Sequence, residues 1–214
     1  MGYLDLYLLH SPFGPDDAEL SAPEQQAIWL GMEGLHTDGL ERNNGCSNHR
    51  VADLSAILAT PATVRPAVNQ IEFNPLLLSV TEQTLRFCAE QSIVVEAYSA
   101  LSSLVYEGAR DEGGPLDTVV ETVASAHGVG AGAVLLRWNL HKGTVVISTS
   151  TKPHRVEETL RVFEFELSAE EIDAIDSAAS GLKPHKQFWQ NSVAAAAAAA
   201  EPGAEPGAGG TPSL

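Results

Sequence analysis

The sequence predicts an α/β fold built on a parallel sheet, and three observations carry the prediction. Five short runs rich in large apolar or β-branched residues end at polar residues or breakers, as strands do. Each run is followed by at least one stretch with helical spacing. The resulting order, βαβαβαβααβαα, requires crossovers of the kind that join parallel strands. Hydrophobic strands alternating with helices further predict a sheet covered on both faces. The chain has 214 residues, enough for one sizeable domain.

The first strand is Tyr3 to Leu9, with His10 at its C-terminal end and Pro12 as the breaker. Leu4, Leu6, Leu8 and His10 share one side, and the run reads as buried. A loop over 11–17 leads into a helix from about Ala18 to Leu40, stopped at Gly39. A short strand lies near Asn44-Gly45-Cys46. Ser47-Asn48 then read as the N-cap of a helix carrying Val51, Leu54, Ile57 and Leu58. Val68 to Phe73 alternates and is stopped by Asn74-Pro75. Ser79 to Glu82 has capping-box spacing and opens the next helix. Ile93 to Tyr98 is the fourth strand, followed by a Gly-rich loop from Ser102 to Pro115. Helices are predicted over Asp117–His127 and Ala131–His141, and a last strand over Val145–Ser150. Two more helices follow, Lys152–Val162 and Ser168–Ser180, the second with a Ser168–Glu171 capping box. Residues 193–214 are low-complexity Ala, Gly and Pro with no apolar face to bury, and are expected to be disordered.

Composition excludes several functions. The net charge of −16 disfavours nucleic-acid binding, which needs a basic face, and equally an electrostatic membrane anchor. Cys46 and Cys88 fit neither a disulfide framework nor a zinc pattern, and read as reduced thiols of a cytoplasmic protein. No signal peptide opens the sequence, and no apolar run is long enough to span a bilayer. No G-x-G-x-x-G follows the first strand, so the Rossmann fingerprint is absent.

Polar residues close each strand: His10, Ser47-Asn48, Asn69-Gln70, Tyr98-Ser99 and Thr149-Ser150. In a parallel α/β fold the C-terminal strand ends converge on one mouth, where chemistry is placed. Each residue alone has a plain structural reading. Ser47 and Asn48 could cap a helix, Gln70 could be a satisfied buried amide, and Tyr98 a packed aromatic. Their recurrence at one topological position is what points to a site.

Several segments resemble the aldo-keto reductases. They are Leu4 to Pro12, Gly45-Cys46-Ser47-Asn48, Asn69 to Pro75, Ala97 to Leu101, Val134 to Trp138, Arg155 to Leu160 and Val162 to Ser168. The resemblance runs over about residues 3–192, in the family's order. It implies a parallel (β/α)8 TIM barrel, incomplete here, with about five βα units matching strands four to eight. It implies NADP(H) as cofactor and reduction of an aldehyde or ketone, a small-molecule carbonyl, to an alcohol.

By the same resemblance His10 is the histidine that hydrogen-bonds the substrate carbonyl. Ser47, Asn48 and Gln70 hold the nicotinamide carboxamide, which needs donors and acceptors in fixed places. Tyr98 stacks under the nicotinamide ring. Ser99, Leu101 and Ser103 lie at the pyrophosphate, and Ser150 and Arg155 near the adenosine 2′-phosphate. Phe13 and Phe188-Trp189 are candidates for a substrate pocket. Thr149 replaces the family's usual phosphate-binding lysine, Thr159 an asparagine at the adenine, and Asn74 a common histidine. None of Tyr3, Tyr7, Tyr98 or Tyr106 matches the family's acid, and none of Lys142, Lys152, Lys183 or Lys186 its partner. The expectation is a truncated chain whose exposed strand edges drive self-association. A non-catalytic half-barrel that binds cofactor or a partner is the alternative.

Overall fold

In the computed structural model, which describes residues 2–105 and 113–188, five parallel strands form one sheet in sequential order. They are β1 (Tyr7–Leu9), β2 (Asn44–Ser47), β3 (Val68–Glu72), β4 (Val94–Tyr98) and β5 (Val145–Val146). The helices are α1 (Ala22–Thr37), α2 (Val51–Leu58), α3 (Leu78–Glu90), α4 (Ser102–Val105), α5 (Pro115–His127), α6 (Ala131–His141), α7 (Pro153–Leu160) and α8 (Ala169–Ser180). Register is set so that the strand ends meet: Ser47 lies beside Gln70, and Glu72 beside Tyr98.

The expectation of two covered faces is corrected. In a sequentially ordered sheet every right-handed crossover moves the same way, so the helices collect on one side. That side holds the main core, where Cys46, Ile71, Val95 and Ala97 of the strands meet Leu54, Cys88, Val120, Leu135, Trp138 and Ile175 of the helices. Trp138 stacks on Phe73 at 5.2 Å between ring centroids. The other face carries Gln70, Glu96 and Tyr98, with Val94 and Val145 about half exposed.

The first strand is shorter and more exposed than expected. Leu4 still bridges Glu41, but the regular ladder begins at Tyr7, and Tyr3, Leu4 and Tyr7 are exposed. β1 is an outer strand, with no described strand paired along its far side. β5 likewise stops at Val146, although Ile147 still donates its N–H to Ala97 O at 2.9 Å.

Helix starts show where local signals compete. Helix α1 begins at Ala22 rather than Ala18, because Ser21 and Glu24 form a capping box with Pro in the first turn. Ser47 and Asn48 do not cap α2, because Ser47 belongs to β2 and Arg50 is the N-cap, its N–H bound by Asp53. Ser79 lies inside α3, which enters through a 3-10 turn at Pro75–Leu77 capped by the Asn74 side chain. The Ser168–Glu171 box caps α8 as expected. The segment after β4 opens with the short helix α4 instead of continuing as loop, and α7 gives way at Arg161–Phe163 to a 3-10 turn. Tyr106, Trp189 and the 193–214 tail lie outside the described residues. Among the described residues no single helix is long and apolar enough to cross a membrane; α5 and α6 pass that test only as a pair bent by 96°.

Candidate active site

Two of the predicted residues follow their strands directly in the left-handed backbone region. Asn48 (φ 62°) comes after β2 and Ser99 (φ 55°) after β4. This conformation is uncommon for non-glycine residues, and it persists where surrounding bonds over-determine it. It turns the chain at the strand end, so the side chain stays at the rim instead of passing over the helices.

His10, Ser47, Asn48, Gln70 and Tyr98 form one connected network. The Ser47 hydroxyl donates to Gln70 O at 2.7 Å, and Asn48 N–H donates to the same carbonyl at 2.9 Å. The Asn48 amide donates to His10 O and to Ser47 Oγ, both at 3.0 Å. Its Oδ1 accepts from the Tyr98 hydroxyl at 2.7 Å. The Gln70 amide donates to Glu96 at 2.8 Å. Asn48 therefore joins four strand ends, β1 through the His10 carbonyl, β2 by following it directly, β3 through the Gln70 carbonyl, and β4 through Tyr98. The His10 ring is exposed at the rim.

Ser99, Leu101, Ser150 and Arg155 fall in a second region. They line a cleft of about 590 Å³ between the ends of β4 and β5 and the first turns of α6 and α7. Tyr98 lines it too, so one side chain belongs to both regions. Gly130, Gly132 and Ala133 form another wall, and neither Gly130 nor Lys152 caps its helix with a side chain. A helix N-terminus lined by small residues leaves backbone N–H groups accessible to a phosphate. Ser150 Oγ accepts from Lys152 N–H at 3.1 Å, and Thr159 donates its hydroxyl back to Arg155 O at 2.9 Å. The volume, the small-residue wall and the Arg155 cation fit a phosphate-bearing organic cofactor.

The Ser103 side chain is buried with Oγ unpartnered among the described residues, and it does not line the cleft, whereas Ser102 does.

Sequence reasoning missed the floor beneath Tyr98. The buried carboxylate of Glu72 accepts from Gln187 N–H at 2.9 and 3.1 Å and from Phe188 N–H at 3.1 Å. Phe188 sets its ring edge-on to Tyr98 at 6.0 Å. Burial pushes the Glu72 pKa up, against the lowering effect of those N–H bonds. Burial, with the nearby Glu72 charge, also pushes the Tyr98 phenol well above its usual value. The alternation of β3 places Glu72 on the same face as Gln70, which was the available signal. Phe13 packs against the Arg50 guanidinium, 5.6 Å from its ring centroid.

Polar groups gathered where parallel strands end, beside a roomy cleft, are the arrangement by which parallel βα proteins present a ligand site. The model of the Aldo/keto reductase family matches residues 1–180, and the chain belongs to that family. The NADPH-dependent alpha-keto amide reductase of Saccharomyces cerevisiae is 38% identical over 187 residues, covering 87% of this chain and 59% of the yeast protein. The NAD/NADP-dependent indole-3-acetaldehyde reductase of Schizosaccharomyces pombe is 36% identical over 191 residues, covering 89% of this chain and 64% of its own length. A crystal structure of an aldo/keto reductase from Brucella melitensis superposes with a TM-score of 0.69 at 29% identity, covering 83% of this chain and 62% of that one. The chain thus spans about 60% of the length of the curated relatives it matches.

Proposed function

We propose that the chain binds NADP(H) along its strand ends and takes part in reducing an aldehyde or ketone to an alcohol. The observation that carries the proposal is the double placement of Tyr98. Its hydroxyl is fixed by Asn48 in the polar network, and the residue also lines the cleft that contains Arg155. One ligand lying along Tyr98 would meet carboxamide-type partners at one end and a phosphate partner at the other. The names of the relatives above support a nicotinamide cofactor and a carbonyl substrate.

When bound, the cofactor supplies a hydride to the carbonyl carbon. Ser47, Asn48 and Gln70 hold the carboxamide, and Tyr98 offers its ring face. Ser99, Leu101 and Ser150 line the phosphate-bearing half, with Arg155 as its cation. His10 hydrogen-bonds the carbonyl oxygen at the rim. Tyr98 is not the proton donor, because its hydroxyl is committed to Asn48 and its pKa is raised. With Thr149 in place of lysine, preference for NADPH over NADH rests on Arg155.

The test is NADPH consumption with a panel of aldehydes and α-keto compounds, comparing the chain with His10→Ala. Loss of roughly 10²-fold in kcat with little change in NADPH affinity is expected. An unchanged rate in H10A contradicts the role of His10. Tight NADPH binding without turnover would leave the chain a binding role alone.

A further inference from the structure

The turn that presents Asn48 is held from behind. Asn69 precedes Gln70 on β3 but points to the opposite face, into the helix-packed core, where it is fully buried. Its amide donates to His49 O at 2.9 Å, and its Oδ1 accepts from His49 N–H at 3.4 Å. The side chain thus mimics one rung of a strand ladder, gripping the residue directly after the left-handed Asn48. The remaining capacity of the amide faces two thiols: the Cys46 S–H is shared between Val68 O at 3.6 Å and Asn69 Oδ1 at 3.8 Å, and the amide donates to Cys88 Sγ at 3.9 Å. Every polar direction of Asn69 is used, in surroundings that admit no water-facing alternative.

His49 grips the same turn through its side chain. Its Nδ1 lies 2.7 Å from Ser47 O. A carbonyl only accepts, so Nδ1 carries the proton and donates. Nε2 is buried without a partner among the described residues, which suits the neutral ring. Ser47 O, Asn48 and the His49 backbone are consequently fixed by groups that face away from the ligand side.

We infer that Asn69, with His49, is a positioning residue that aims Asn48 and Ser47 at the nicotinamide end of the cofactor while touching neither cofactor nor substrate. This rests on the NADP(H) reading given above. The alternative is that Asn69 only stabilises the core. The two roles separate by ligand. Adenosine 2′,5′-bisphosphate presents only the phosphate-bearing half to the Arg155 cleft, whereas NADPH also reaches the network around Asn48.

The experiment measures Kd for both ligands by calorimetry on the full-length chain, as wild type, Asn69→Leu and His49→Phe. Each substitution keeps the approximate volume and removes the hydrogen bonds to the turn. The expected result is an NADPH Kd raised about tenfold or more, the equivalent of one well-placed hydrogen bond, with the bisphosphate Kd unchanged within about twofold. Amide hydrogen exchange without ligand should rise at residues 47–50 and not in α5 or α8. Parallel weakening of both ligands, or no weakening of either, overturns the positioning role. If N69L does not fold, H49F decides by the same criteria. If wild type binds the bisphosphate as tightly as NADPH, or binds neither, the NADP(H) reading itself falls, and the inference with it.

Discussion

Asp53 shows how much one side chain here organises. It accepts from the Arg50 Nε and backbone N–H at 2.8 and 2.9 Å, from the second guanidinium nitrogen at 3.1 Å, and from Gln25 at 3.0 Å. Burial pushes its pKa up, but the bonds from Arg50 and Gln25 outweigh it and hold the group below its usual 3.8. A lowered folded-state pKa means stability that is complete above the unfolded value and lost as pH falls through the folded one. Wild type should therefore lose stability on acidification below about pH 4, and Asp53→Asn should show a flatter acid limb. At neutral pH the variant should be less stable by about 1–3 kcal/mol, since Arg50 loses its buried carboxylate and keeps only Glu19. Urea melts across pH 3 to 7, about the span of the titration, check both. The exchange of partner at this position also explains a misreading: Arg50 is no usual N-cap residue, and only the fold reveals that Asp53 reaches back to it.

At the scale of elements, Gly45 is a point of close approach in the sheet. A Cβ there would lie 2.5 Å from Leu8 Cδ2 and 2.9 Å from Val68 O. Gly45 pairs with Leu8 on one side and Val68 on the other, so the crowding falls on both ladders that carry β2. Gly45→Ala should cost about 1–3 kcal/mol in denaturant melts and loosen the network on Ser47 and Asn48. Strand identity was legible wherever an apolar run met a breaker, as at Phe73-Asn74-Pro75. Strand length was not, because a ladder extends only as far as its neighbour, and β1 and β5 each have one neighbour among the described residues. The site divides in the same way. Strand-end polarity picked out the Asn48 network, which lies within β-strands and their ends. The cleft wall at Gly130, Gly132 and Ala133 comes from the start of α6, which only tertiary packing brings to the strand ends.

Across the whole molecule, one face of the sheet is packed with helices, and the other carries exposed apolar side chains beside polar ones. Tyr3, Leu4 and Tyr7 at one edge and Val145 and Ile147 at the other are all at least 39% exposed. Strand edges with apolar flanks invite pairing with another chain, while a net charge of −16 opposes it by repulsion. The balance predicts association that increases with protein concentration and with added salt, as screening removes the repulsion. Light scattering after size exclusion reads this directly. Tyr7→Lys combined with Val145→Lys should shift the distribution toward monomer, and a wild-type monomer at every salt concentration would contradict the prediction.

The most direct test of a single ligand lying along Tyr98 is a calorimetric NADPH titration of the wild type, Tyr98→Ala and Arg155→Ala. Tyr98 stands where the polar network and the cleft meet, and Arg155 lines the cleft from α7. The predicted result is one saturable binding event with 1:1 stoichiometry, weakened about tenfold by either substitution, with Arg155→Ala affecting NADPH more than NADH. A silent wild-type titration, or affinity unmoved by one of the two substitutions, would contradict it.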